Sequence, residues 1–122
     1  MAKILLAEDS ERIRVPIVQA LEMDGHVMTA VGNGQAALEM IEAGGFDLII
    51  MDIWMPGLDG LSVLAALRAN GIETPVIVIS GGGPNAPLEV SALLAQTHGA
   101  TCVLVKPFEI AELTAAIDLA LG

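Results

Sequence analysis

The chain has 122 residues, 54% of them hydrophobic and 16% charged, with a single cysteine; this suits one globular domain and excludes a disordered segment or a disulfide-built scaffold. Five Lys and Arg residues stand against fifteen Asp and Glu, giving a formal net charge of −10. The cations are scattered and the aromatics are only Phe46, Trp54 and Phe108, so the chain lacks the basic face and stacking rings of a direct nucleic-acid binder.

The acidic bias points instead to a cation site or a basic partner surface. No apolar run approaches the roughly 18 residues of a membrane span, so no membrane insertion is expected. Met1-Ala2-Lys3 leads straight into an apolar strand, without the pattern of a signal peptide. Cys102 has no internal partner. Together these features place the expected location in the cytoplasm.

Apolar runs and helical patterns alternate along the chain. Lys3 to Ala7 reads as a buried strand. Ile13, Ile17, Ala20 and Leu21 fall on one helical face, which Gly25 ends. Pro16 sits inside that helix, where it removes a hydrogen bond. Val27 to Val31 is a second strand, and Asn33-Gly34 opens a helix that Gly44-Gly45 closes. Leu48 to Asp52 is the third strand. Leu61, Leu64, Ala65 and Leu67 predict a helix ending at Asn70-Gly71. Val76 to Ile79 is the fourth strand, followed by the loop GGGPNAP and a helix over Leu88 to Thr97. Cys102 to Val105 is the fifth strand and Glu109 to Leu121 the last helix. Five strand–helix repeats with near-continuous apolar strands predict a parallel sheet covered on both faces, in one domain that fills the chain.

In open parallel sheets, ligands bind beyond the carboxyl ends of the strands. Strand one ends in Glu8-Asp9, strand three in Asp52, strand four in Ser80 and strand five in Lys106. Three carboxylates at one rim repel unless a cation neutralises them. Oxygen ligands without His or Cys favour a hard ion such as Mg²⁺. A carboxylate, a divalent ion, a lysine and the Ser80 hydroxyl together suit phosphoryl transfer onto Asp52.

These residues, with Met55-Pro56-Gly57, Asp59-Gly60 and Lys106-Pro107-Phe108, resemble the motifs of bacterial response-regulator receiver domains, in order and over the whole chain. The resemblance implies the α/β flavodoxin-like (CheY-like) three-layer sandwich: five parallel strands in the order 2-1-3-4-5 and five helices. It implies that Asp52 accepts a phosphoryl group from the phosphohistidine of a sensor histidine kinase or histidine phosphotransfer protein. Asp9, Asp52 and the Trp54 backbone carbonyl would then bind Mg²⁺ directly, with Glu8 acting through water. Lys106 would pair with the phosphoryl group and Ser80 would move to bind it. The family often has a cis peptide bond where Lys106-Pro107 stands.

Plainer readings exist for each residue alone. Asp52 could cap a turn, Glu8-Asp9 could cap the first helix, and Lys106 could be a solvated lysine. Five motifs in register outweigh them. GNGQAA from Gly32 and GGGPNA from Gly81 loosely fit a dinucleotide fingerprint, but neither follows the first strand, so both read as turn and helix-start signals. His26 and His98 lack metal-ligand spacing, and Cys102 reads as a small core residue.

The sequence departs from the family in three places. The family's usual aromatic three residues before the lysine is Val103 here. The segment from Ser80 to Lys106 is a few residues longer than expected, with the excess at GGGPNAP, so with no ring at Val103 the output is expected to run through ordering of that loop and the fourth helix. Trp54 stands two residues after Asp52, where it is expected to shield the site and slow acyl-phosphate hydrolysis.

The expected protein is a single-domain response regulator over residues 1–122, with no output domain, that signals by protein–protein interaction or onward phosphotransfer. It is not expected to be an enzyme beyond self-catalysed transfer and hydrolysis. The alternative is a receiver-fold interaction module that phosphorylation does not switch. A haloacid-dehalogenase-type phosphatase needs a second acid where Trp54 stands. The kinase, the target and the oligomeric state, including a homodimer, stay open.

Overall fold

The computed structural model describes residues 2–80 and 99–122. The strands are β1 (Lys3–Ala7), β2 (Val27–Val31), β3 (Leu48–Asp52), β4 (Val76–Ser80) and β5 (Cys102–Val105). The helices are α1 (Glu11–Met23), α2 (Gly34–Ala43), α3 (Gly60–Ala69) and α4 (Ile110–Leu121). The strands form one parallel sheet in the order β2-β1-β3-β4-β5. This is the expected sheet, with four helices among the described residues. The expected helix over 88–97, the GGGPNAP loop, Gly81 and His98 lie outside them.

Alternation along the strands divides the core into two layers. Leu5, Ala7, Ile49, Met51, Val76 and Val78 face α2 and α3. Ile4, Leu6, Leu48, Ile50, Ile77 and Ile79 face α1 and α4. The pleat sends successive side chains to opposite faces, so strands covered on both sides must be apolar at every position. All five residues of β3 are buried, as are all five of β4. Truncating one of these side chains, as in Ile50→Ala, would cost about 2–5 kcal/mol.

Details of the helices differ from the sequence expectations. In α3 the buried face is Val63, Leu64 and Leu67, while Leu61 and Ala65 are only partly covered. The Asp59 side chain caps α3, accepting the Ser62 N–H at 2.8 Å. Ser10, not Asp9, is the N-cap residue of α1, so the cap reading of Glu8-Asp9 falls away. The helix runs unbroken through the exposed Pro16. Glu109 is the N-cap of α4, in a reciprocal capping box with Glu112. No helix among the described residues is long and apolar enough to cross a membrane.

Long-range side-chain bonds hold the lower edge of the sheet. The Arg68 guanidinium donates to the carbonyls of Ile72 (2.7 Å), Thr74 (3.0 Å) and Gly99 (2.9 Å). It thereby joins the end of α3 to the entries of β4 and β5.

Candidate functional site

The parallel sheet ends all its strands on one rim, and backbone bonds extend the ladder one residue into the site. Glu8 N–H donates to Val31 O, Ile53 N–H to Ile79 O, and Lys106 N–H to Ser80 O at 2.9 Å. The side chains of Glu8, Asp52, Ser80 and Lys106 are thus placed by sheet hydrogen bonding rather than by free loops.

The expected carboxylates converge. Each of Glu8, Asp9 and Asp52 has an oxygen within 4.8 Å of one from each of the others. Glu8 is fully buried and Asp52 is 2% exposed, whereas Asp9 is exposed. Lys106 Nζ lies 2.7 Å from Asp52 Oδ2 and 3.3 Å from Glu8 Oε1. Asp52 Oδ1 accepts the Trp54 N–H at 3.1 Å, and Glu8 Oε2 accepts the Ser10 N–H at 3.1 Å. At the rim, buried Ser80 Oγ has no hydrogen-bond partner among the described residues, and buried Glu8 Oε1 meets only the Lys106 ammonium, at 3.3 Å. Buried groups of this kind are costly unless another partner satisfies them.

The charges perturb each other. Burial pushes the Glu8 carboxyl up to about 7; the negative Asp52 adds to this, against the Ser10 N–H and the Lys106 charge. Burial alone would lower the Lys106 ammonium, but the hydrogen bond and charge of Asp52, with Glu8 behind it, raise it above its ordinary value.

The loop after Asp52 is built around two close approaches. A Cβ on Gly60 would lie 2.4 Å from the Asp52 carbonyl oxygen, so α3 can start there only from glycine. A Cβ on Gly34 would overlap the Leu58 carbonyl, which seats the start of α2 against the same loop. The Lys106–Pro107 peptide is cis, as the resemblance implied. A cavity of about 830 Å³ opens over the cluster, lined among others by Asp9, Pro16, Asp52, Trp54, Lys106 and Phe108.

Other candidates fall elsewhere. His26 Nδ1 accepts the Ala2 N–H at 3.1 Å, a structural role at the far end of β1. Cys102 is half-buried against the α1–α4 layer. Val103 packs against the α2–α3 layer. Sequence reasoning missed Arg14, whose Nη1 donates to the Glu8 carbonyl at 2.9 Å. No periodic pattern in the sequence marks this contact across the strand-to-helix turn.

Known proteins with this sequence pattern and this fold are numerous. A family model described as "Response regulator receiver domain" matches residues 4–118. The "Uncharacterized transcriptional regulatory protein YkoG" of Bacillus subtilis is 39% identical over 118 residues, which cover 97% of this chain and 50% of that protein. The chain spans about half the length, or less, of the curated relatives it matches first. Among solved structures, the Francisella response regulator 1452 receiver domain aligns with a TM-score of 0.89 at 32% identity, covering 99% of this chain and 97% of that one. Vibrio cholerae chemotaxis protein CheY4 aligns with a TM-score of 0.86 at 28% identity, covering 99% of each chain. The chain therefore belongs to the response-regulator receiver domain family of two-component signalling, with its CheY-like, flavodoxin-like fold.

Proposed function

We propose that this receiver domain is a phosphorylation switch in which Asp52 accepts a phosphoryl group from a phosphohistidine donor. The observation that carries this reading is the contact between Asp52 Oδ2 and Lys106 Nζ, at 2.7 Å, inside a cluster of three carboxylates at the mouth of a cavity. A carboxylate oxygen of Asp52 attacks phosphorus, the P–N bond of the donor breaks, and its electron pair returns to the imidazole. The Trp54 N–H and Lys106 orient the two carboxylate oxygens beforehand, so little reorganisation accompanies attack. Lys106 balances charge on the transferred group, and the Ser80 hydroxyl, buried and without a partner among the described residues, is free to donate to it.

The donor set fits Mg²⁺. It offers only oxygens, an exposed Asp9 that leaves room for retained waters, and two buried carboxylates that share the single Lys106 ammonium. Asp9, Asp52 and the Trp54 carbonyl would hold the ion, with Glu8 reaching it through water. A bound Mg²⁺ supplies positive charge that offsets the carboxylates and attracts phosphoryl oxygens.

Receiver domains work with histidine kinases or other phosphodonors, and we assign this chain a sensor kinase or phosphotransfer protein as donor. Self-catalysed transfer and hydrolysis make it a switch rather than a classical enzyme. Output runs through altered protein contacts or onward phosphotransfer. The names of the curated relatives add transcriptional control as a destination. With its net charge of −10, the chain would serve that end through a DNA-binding partner or segment rather than through its own surface.

The test is Trp54 fluorescence during titration with Mg²⁺ and then beryllofluoride, with mass spectrometry after incubation with a small acyl-phosphate donor. Saturable responses and a phosphorylated Asp52, both lost in Asp52→Asn, support the switch. Absence of phosphorylation together with absence of both responses supports the interaction module instead.

A further inference from the structure

The chain carries fifteen acidic residues, yet the described salt bridges all belong to Lys106. Arg14, half-buried in the first turns of α1, directs its guanidinium at a neutral carbonyl instead: Nη1 donates to Glu8 O at 2.9 Å. Its main-chain N–H donates to Ser10 O at 2.8 Å. That second bond is an ordinary main-chain bond at the start of α1; the Arg14 side chain itself holds the Glu8 carbonyl. On the other side, Glu8 N–H is fixed by Val31 O and Ser10 N–H by Glu8 Oε2. None of the hydrogen bonds among the described residues reaches the Asp9 carboxylate itself. Its direction therefore follows from the peptide plane between Glu8 and Asp9, and Arg14 grips the carbonyl of that plane.

We propose that Arg14 is a positioning residue for the cation site, aiming Asp9 through the Glu8 carbonyl; this rests on the Mg²⁺ reading above. Partners of this outer kind typically contribute 10–100-fold to metal affinity, so a loss of about tenfold is expected. The sign of the effect separates this role from charge. A cation near the carboxylates repels Mg²⁺, so if Arg14 acted only by its charge, removing it would tighten binding.

The experiment titrates the whole chain with Mg²⁺, by calorimetry and Trp54 fluorescence, in wild type, Arg14→Gln and Arg14→Lys. Amide hydrogen exchange at residues 9–13 is measured without metal, and thermal unfolding checks the fold. The proposal expects Arg14→Gln to bind about tenfold more weakly, with faster exchange at Ser10 and Ile13. Arg14→Lys, which keeps the charge and one donor, should lose less, and it decides the matter if Arg14→Gln does not fold. Unchanged or tighter Mg²⁺ binding in these variants overturns the proposal. A wild type with no saturable Mg²⁺ response would overturn the Mg²⁺ reading itself, and this inference with it.

Discussion

Lys106 Nζ reaches both Asp52, at 2.7 Å, and Glu8, at 3.3 Å, from the end of a strand 54 residues beyond Asp52. One ammonium thus faces two buried carboxylates, and the site is under-neutralised as it stands. That imbalance fixes how the domain should respond to mutation, pH and metal.

Removing the ammonium leaves two buried carboxylates without a counter-charge. Breaking a fully buried pair costs about 3–5 kcal/mol. The Lys106 side chain is 25% exposed, so roughly 2 kcal/mol is the better expectation for Lys106→Met without metal. Urea unfolding at pH 8 should show that loss. At pH 5, where Glu8 is protonated, the loss should shrink; an equal loss at both values would place the destabilisation in packing rather than charge.

Glu8 makes stability depend on pH in an unusual direction for a carboxylate. Its folded value, about 7, lies above the ordinary 4.5, so the folded state binds the extra proton between those limits. Stability is therefore fullest below about 4.5 and falls as pH rises through 7. The contribution of this group amounts to at most about 3 kcal/mol. Glu8→Gln should flatten that slope in metal-free unfolding curves and be the more stable protein at pH 8. Saturating Mg²⁺ should also flatten it for wild type. A wild-type slope that persists unchanged in Glu8→Gln would assign the proton elsewhere.

The strand ends were legible because the apolar alternation is strong and each strand stops at a chemical residue: Asp52, Ser80 and Lys106 needed only sequence order to be placed on one rim. Repulsion among the rim carboxylates was legible; that Glu8 takes the upward shift, chiefly from burial, was not. Nor was the Arg14 bond to the Glu8 carbonyl, because side-chain-to-backbone contacts across a turn leave no periodic trace. Val63 was missed because the apolar stripe was counted from Leu61, which does pack against the same layer but is only partly buried. Arg68 joins residues 31 positions apart, and no local pattern reports that.

Gly60 and Gly57 offer a controlled pair in the loop after Asp52. A Cβ at Gly60 would meet the Asp52 carbonyl oxygen at 2.4 Å and Ile53 Cα at 2.9 Å, both of them backbone atoms that cannot yield. Gly60→Ala should destabilise by about 3 kcal/mol and displace Asp52. Gly57 faces open space with φ +77°, so Gly57→Ala should cost only about 1 kcal/mol, from backbone conformation. Mg²⁺ affinity should fall in the first variant and hold in the second. Equal unfolding midpoints would contradict the close approach.

Trp54 should set how long the phosphorylated state lasts. Its backbone N–H holds Asp52 Oδ1, while its indole packs against the α2–α3 layer and walls the cavity beside Asp52. Hydrolysis of a phosphoaspartate needs a water in line with phosphorus, and a planar apolar ring at that wall narrows the approach. Trp54→Asn should therefore shed phosphate several-fold faster than wild type at saturating Mg²⁺, measured as inorganic phosphate release after removal of the donor. Trp54→Phe keeps an apolar ring and should stay near the wild-type rate. Because Nε1 is buried without a partner among the described residues, losing the indole N–H should cost little. A Phe variant as fast as the Asn variant would shift the explanation from the ring to the N–H. An Asn variant no faster than wild type would remove Trp54 from the control of signal lifetime.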